Sequence, residues 1–230
     1  ILCLMATLCC FAQRKNNNIK NNIQTQEKTI KTKSSSKSSG FIGGHRYVDL
    51  GLPSGLKWAT CNVGATKPEE YGDYFAWGET KTKSSYTESN SATYGKNNSW
   101  LKSNGYIDSR GNLSKAHDAA SANWGSTWRM PTKAEIDELV ENTTTEWTTR
   151  NGVKGRLVKS KRNGNSIFIP AACSRRGTEL YLASELGGCW SSTPYESRAN
   201  YAYELLFSSG YFDRDWNYRI LGLSVRPVSE

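Results

Sequence analysis

The chain has 230 residues, 37% of them hydrophobic, and a formal net charge of +9. That length fits one domain with appendages, and no stretch is long and apolar enough to cross a bilayer as a helix. The charge does not imply specific nucleic-acid binding. Seven basic residues and one acid (Glu27) lie between Gln13 and Gly40, so that tract alone carries +6 and leaves +3 for residues 41–230.

Ile1 to Phe11 is apolar and uncharged. It is too short for a transmembrane helix and reads as the apolar part of a signal peptide, residues 1–12, with Cys10-Phe11-Ala12 as a small-x-small cleavage site. Residues 13–40 are Asn, Lys, Ser and Thr with almost no apolar side chain, the composition of a disordered basic linker. The folded domain is expected over residues 41–230. An exported protein follows, whether periplasmic, at the cell surface or secreted. Three cysteines then remain: Cys61, Cys173 and Cys189. They permit one disulfide in three pairings, with Cys173–Cys189 favoured because both lie in the β-rich C-terminal half. With no C-x-x-C pair and two isolated histidines, His45 and His117, neither a metal nor another cofactor is expected.

In chain order, Tyr47–Leu50 and Leu56–Ala59 read as strands around a Gly-Leu-Pro-Ser-Gly turn. Lys81–Gly111 is polar and reads as a long surface loop, and Ala116–Trp124 as a short helix. Thr132 and Glu135 make a T-x-x-E capping box before Ile136, Leu139 and Val140, which predicts a helix from Lys133 to Glu141. Arg156–Val158, Ser166–Pro170, Gly188–Trp190, Ala202–Ser208 and Leu223–Val228 read as strands. One or two helices followed by short strands predict an α+β domain.

Eight of the 24 residues from Tyr195 to Tyr218 are aromatic, against 11% in the whole chain. Period two places Tyr203, Leu205 and Phe207 on one face, expected to be core, and Glu204, Leu206 and Ser208 on a solvent face. Five aromatics (Tyr195, Tyr201, Tyr211, Trp216, Tyr218) lie among Glu196, Arg198, Asn200, Asp213, Arg214, Asp215 and Asn217. Rigid aromatic side chains mixed with polar ones is the composition of a recognition surface.

Six motifs in order carry a resemblance: VDLGLPSGLKWATCNVGA (Val48–Ala65), PEEYGDYFAWGE (Pro68–Glu79), ANWGSTWRMPTKAEIDEL (Ala122–Leu139), GNSIFIPAA (Gly164–Ala172), CWSSTPY (Cys189–Tyr195) and LSVRPV (Leu223–Val228). Together they resemble the Fibrobacter succinogenes major paralogous domain, found in secreted and surface proteins of gut Bacteroidetes. The resemblance implies a C-type-lectin-like fold, shared with the formylglycine-generating enzyme: one domain with a short twisted antiparallel sheet and one or two helices. Trp190–Val228 further resembles the variable region of proteins diversified by retroelements. The display positions this implies are Tyr195, Glu196, Arg198, Asn200, Tyr201, Glu204, Leu206, Tyr211, Asp213, Arg214, Asp215, Trp216, Asn217 and Tyr218. Adenine rewriting of an Asn codon cannot yield Glu196, Glu204 or Trp216, so those three depart from the pattern. The expected function is recognition of a protein or glycan at a cell surface; the alternatives are a cysteine-dependent modifying enzyme of the formylglycine-generating type and a structural cell-surface domain without a specific ligand.

Enzymatic readings are weaker. The formylglycine-generating relative suggests cysteine chemistry at Cys173 or Cys189, but sequence offers only Arg175 and Arg176 as activating cations. Asp73 with Glu79 and Asp213 with Asp215 have no spacing that fixes a hydrolytic geometry. G-x-S-x-G is absent, and His117 beside Asp118 is a common surface pair. The calcium-binding lectin motifs are not reproduced: Thr193-Pro194-Tyr195 and Trp216-Asn217-Tyr218 lack the required acids.

Overall fold

A computed structural model describes residues 38–230. The expected signal peptide and most of the expected linker fall outside the described residues. The domain begins slightly before the expected boundary, because Ser39 and Gly40 already belong to strand β1 (Ser39–Ile42), paired with β2 (His45–Asp49). Gly43 and Gly44, both at positive φ, make the two-residue turn between them. Gly40 lies so close under the Tyr47 ring that a Cβ there would be 2.8 Å from the tyrosine oxygen.

The described chain is mostly sheet with few helices, as an α+β reading requires. A four-stranded sheet has the order β1-β2-β3-β13, with β3 at Lys57–Ala59 and β13 at Val228–Ser229. Three three-stranded sheets complete it: β4 (Thr143–Arg150), β5 (Val153–Ser160) and β6 (Ser166–Pro170); β12 (Gly222–Leu223), β7 (Ser174–Arg176) and β8 (Glu179–Tyr181); and β11 (Phe212–Tyr218), β10 (Tyr201–Phe207) and β9 (Gly187–Pro194). The helices are α1 (Asn98–Ser103), α2 (Ala119–Trp124) and α3 (Lys133–Asn142). None of the described helices is long and apolar enough to span a membrane.

The capping box forms as the sequence predicts. Thr132 Oγ1 accepts from the Glu135 N–H, and Glu135 returns a bond to the Thr132 N–H at 2.8 Å. Ile136 and Leu139 are fully buried, in a core cluster with Leu50, Trp58, Ile167, Ile169, Leu205, Phe207 and Val228. A second cluster gathers Phe75, Trp77, Leu101, Met130, Trp190, Ala202, Leu223 and Val225. The expected surface loop 81–111 is partly structural: it contains α1 and buries Tyr86, Thr93, Leu101 and Ile107.

The expected strand Leu223–Val228 is divided. Leu223 pairs with β7 and Val228 with β3, and the residues between cross from one sheet to the other. Pro227 has no N–H to donate, which suits a crossing better than a ladder. Arg226, fully buried, fixes that crossing. Its guanidinium donates to Asn62 Oδ1 (2.9 Å), the Ala59 carbonyl (3.0 Å) and the Phe168 carbonyl (3.1 Å), binding β3 to β6.

Candidate functional site

Strands β10 and β11 pair in antiparallel register, with Tyr201 opposite Tyr218, Tyr203 opposite Trp216, Leu205 opposite Arg214 and Phe207 opposite Phe212. Opposed residues share a face, so these eight side chains form one surface. Helix α3 covers half of it. Leu205 and Phe207 are buried beneath Ile136 and Leu139, while the half beyond the start of α3 stays open.

The open half is an aromatic platform. Tyr201 meets Trp216 edge to face at 4.7 Å between centroids and Tyr218 at 4.4 Å. Tyr195, just past β9, joins at 5.7 Å from Trp216 and 5.2 Å from Tyr203. Trp216 and Tyr218 keep 40% and 42% of their surface exposed. The exposed Arg198 guanidinium lies 5.8 Å from both the Tyr201 and Trp216 rings. The bond with the Tyr218 hydroxyl, and then burial, raise the Tyr201 phenol above its usual value.

A polar network at the mouth of α3 anchors the platform. Lys133 and Arg214 each place a cation 4.9 Å from the Tyr203 ring centre. Arg214 Nε donates to Asp137 at 2.5 Å, Lys133 pairs with Glu196, and the Tyr203 hydroxyl donates to Glu196 at 2.7 Å. Burial and then the Glu196 bond push the Tyr203 phenol up to about 12. Partial burial raises the Glu196 carboxyl, but Lys133 and Tyr203 outweigh it and hold it below the ordinary carboxylate value. Glu196 and Arg214, expected as display positions, are therefore engaged within the chain. Lys133, Asp137 and Tyr203 belong to the site although the sequence reading left them out. Their signal was the helix start itself, since a capping box one turn long fixes where α3 begins to cover the sheet.

The opposite face carries Ala202, Glu204 and Leu206, with Asn217, Asp215 and Asp213 across from them. Here one expectation fails. Glu204 is not a solvent residue but 1% exposed. Gly188 of β9 sits against it so closely that a Cβ there would be 2.6 Å from Glu204 Oε2, with Leu223 next nearest. Burial pushes this carboxyl up to about 8, with Asn217 pulling it down and Asp215 adding to the rise. Leu206 is half-buried. Tyr211 lies beyond the far end of the strand, its hydroxyl 3.5 Å from Asp215 and remote from the other four rings. Asn200 serves through its backbone, accepting from the Arg219 N–H. The fourteen expected display residues thus do not share a surface: the sheet divides them, and only Tyr195, Arg198, Tyr201, Trp216 and Tyr218 form one open cluster.

Asp213, Asp215 and Asn217 have a local task. The bonds Ser208 N–H to Tyr211 and Arg219 N–H to Asn200 set the ladder phase, so odd-numbered residues of β11 bond β10 and even-numbered ones point outward. Past Phe212, each outward N–H is met by the preceding side chain: Arg214 by Asp213 (2.7 Å), Trp216 by Asp215 (2.8 Å) and Tyr218 by Asn217 (3.0 Å). Beyond Asn217 lies a cleft of about 450 Å³ walled by Tyr94, Arg176, Tyr181 and Tyr218. Nothing in the sequence associated Tyr94 or Tyr181 with this region.

The favoured disulfide is absent: Cys61, Cys173 and Cys189 are all free. Cys189 packs into the core beside Leu205, and Cys173, at φ 42°, turns its thiol to Ser174 at 3.8 Å. Burial pushes the Cys189 thiol up to about 12 and raises that of Cys173, so neither is an activated nucleophile. Other candidate catalytic groups have structural partners. Glu79 pairs with Lys83 and accepts from the Ala92 N–H. His117 stacks on Tyr106, and Asp118 caps α2 and accepts from the Met130 N–H. No group of three or more His, Cys, Asp or Glu side chains among the described residues is arranged to hold a metal ion. No protein family, curated protein or solved structure matches the chain.

Proposed function

We propose that this chain is an exported recognition domain of C-type-lectin-like architecture that binds a protein or glycan ligand at a cell surface. The contact is made by Tyr195, Tyr201, Trp216 and Tyr218, with Arg198 choosing among partners. The observation that carries this reading is the exposure of Trp216 and Tyr218, 40% and 42%, within a ring cluster braced by α3. Large aromatic side chains held rigid at the surface lose little entropy on binding and desolvate well. The resemblance of Trp190–Val228 to retroelement-varied regions supports the same surface. In this reading the varied positions that reach a ligand are those on the platform, while Glu204, Asp213, Asp215 and Asn217 maintain the strand.

Ligands are to be sought on a glycan array and a panel of purified bacterial surface proteins, with the parent chain and W216A/Y218A side by side. The double variant is expected to lose at least tenfold in affinity for whatever the parent binds, with a nearly unchanged melting temperature. Retained affinity places the contact elsewhere. A near-repeat of the coding region for Trp190–Val228, differing only at adenines and next to a reverse-transcriptase gene, is the expected genomic mark of diversification.

A further inference from the structure

Three edge strands have seven or eight residues: β4, β9 and β11. The outer side of β9 is already taken, since the Trp190 N–H bonds the Ser224 carbonyl and the Ser192 N–H bonds the Pro131 carbonyl. The other two are finished differently. On β11 three of the four outward N–H groups, those of Arg214, Trp216 and Tyr218, are capped by side chains. Strand β4 has no such protection. The Lys161 N–H bonds the Asn142 carbonyl, and Asn151-Gly152, both at positive φ, close the β4–β5 hairpin as a two-residue turn. Both ends fix the same phase. Thr144, Glu146, Thr148 and Arg150 bond β5, while Thr145, Trp147 and Thr149 direct N–H and C=O outward. Among the described residues no partner meets those three N–H groups. The other side of that sheet is engaged, since Arg226 reaches the Phe168 carbonyl of β6. The edge strands β1 and β8 have only four and three residues.

We propose that β4 is a homodimer interface, at which a second copy of this chain adds its own β4 antiparallel across a twofold axis, joining two three-stranded sheets into one of six. The side chains choose the occupant. With Thr148 on the axis, Trp147 and Thr149 exchange backbone bonds with Thr149 and Trp147 of the second copy. The same register sets Glu146 opposite Arg150 of the second copy and Arg150 opposite its Glu146. Glu146 and Arg150 are both exposed on the solvent face, and Arg150 holds Glu69 only at 3.4 Å. Opposite charges facing across strands favour this register: moving the axis to Trp147 sets Glu146 against Thr148 and loses both ion pairs, and moving it to Glu146 sets Glu146 against Glu146. The β4 side chains are mostly threonine, whose β-branched form suits an added strand. The platform around Trp216 lies on another sheet, so dimerisation leaves it free and this proposal does not depend on the ligand-binding one.

The test is sedimentation velocity of the 230-residue chain from micromolar to millimolar concentration. A concentration-dependent dimer is expected. E146R should weaken it at least tenfold by placing Arg against Arg, and E146R/R150E should restore it. T149P removes an outward N–H that no internal bond uses and should abolish the dimer, with circular dichroism reporting that the fold is kept. A monomer at every concentration overturns the proposal, as does a dimer indifferent to E146R and T149P, or a charge exchange that fails to rescue.

Discussion

Asn217 donates its side-chain amide to Glu204 Oε1 at 2.9 Å, and the second carboxyl oxygen of Glu204 is buried with no hydrogen-bond partner. The two residues belong to the paired strands that carry Tyr203 and Trp216 on the other face. A carboxyl in that setting stays protonated because ionising it would place an unpaired charge in the interior. The strand pair below the platform therefore holds an acid that burial biases toward its neutral form.

That acid makes stability depend on pH with a definite sign. Its folded value is about 8, against 4.5 in an unfolded chain. Between those values the unfolded chain has released the proton and the folded one retains it, so unfolding gains favour as pH rises. The stabilisation is fully present below pH 4.5, declines by at most about 1.4 kcal/mol per pH unit, and levels off above about 8. E204Q, which mimics the protonated acid, should flatten this decline. Denaturant melts at pH 5, 7 and 9 check it. The parent should lose stability across the series relative to E204Q, and parallel curves would mean that Glu204 ionises freely.

Glu204 also shows where sequence reading stops. Period two correctly set Tyr203, Leu205 and Phe207 against Glu204 and Leu206, but alternation assigns a face, not what covers it. Gly188 and Leu223, distant in sequence, close over Glu204. Conversely, Tyr201 and Leu205 share a face and differ in fate because α3 starts at Lys133 and covers only one end. The helix was legible because Thr132, Glu135 and its apolar spacing all agree. Strand β4 was not, since TTTEWTTR alternates nothing apolar; its one signal was Asn151-Gly152, a hairpin turn between two runs of equal length. The platform residues could be named from composition, but their separation from Tyr211, Asp213 and Asp215 depends on strand phase.

Arg226 should be among the least replaceable residues. It is fully buried, with no carboxylate partner and three oxygen acceptors that it alone satisfies from β3, β6 and Asn62. R226A removes these bonds and leaves buried acceptors unpaired, at a cost of about 3–5 kcal/mol. R226K should rescue little of this, since one ammonium cannot reach three divergent acceptors. Urea denaturation of the two variants measures both losses.

The thiols should respond to burial rather than to any redox pairing. Iodoacetamide at pH 8 on the folded chain, followed by peptide mapping, is expected to label half-exposed Cys61 ahead of Cys173 and to spare Cys189 until denaturant is added. A peptide joining Cys173 to Cys189 in unreduced digests would overturn the free-thiol arrangement.

The caps on β11 predict the consequence of removing them. An uncovered strand edge pairs readily with another strand, and native chains suppress this with charges and local bonds. Asp213 and Asp215 do both at once, because each carboxylate satisfies the next N–H and puts a negative charge where a second strand would approach. Asn217 completes the series without charge and also supports Glu204. Replacing Asp213 and Asp215 with threonine should free two outward donors while keeping Asn217 on Glu204, so the fold survives and the edge opens. In an E146R background, which silences β4, the D213T/D215T chain should self-associate at concentrations where E146R alone stays monomeric. Light scattering over a dilution series separates the two, and an unchanged monomer would mean that the twist of β11 or its bulky aromatic neighbours closes the edge without the caps.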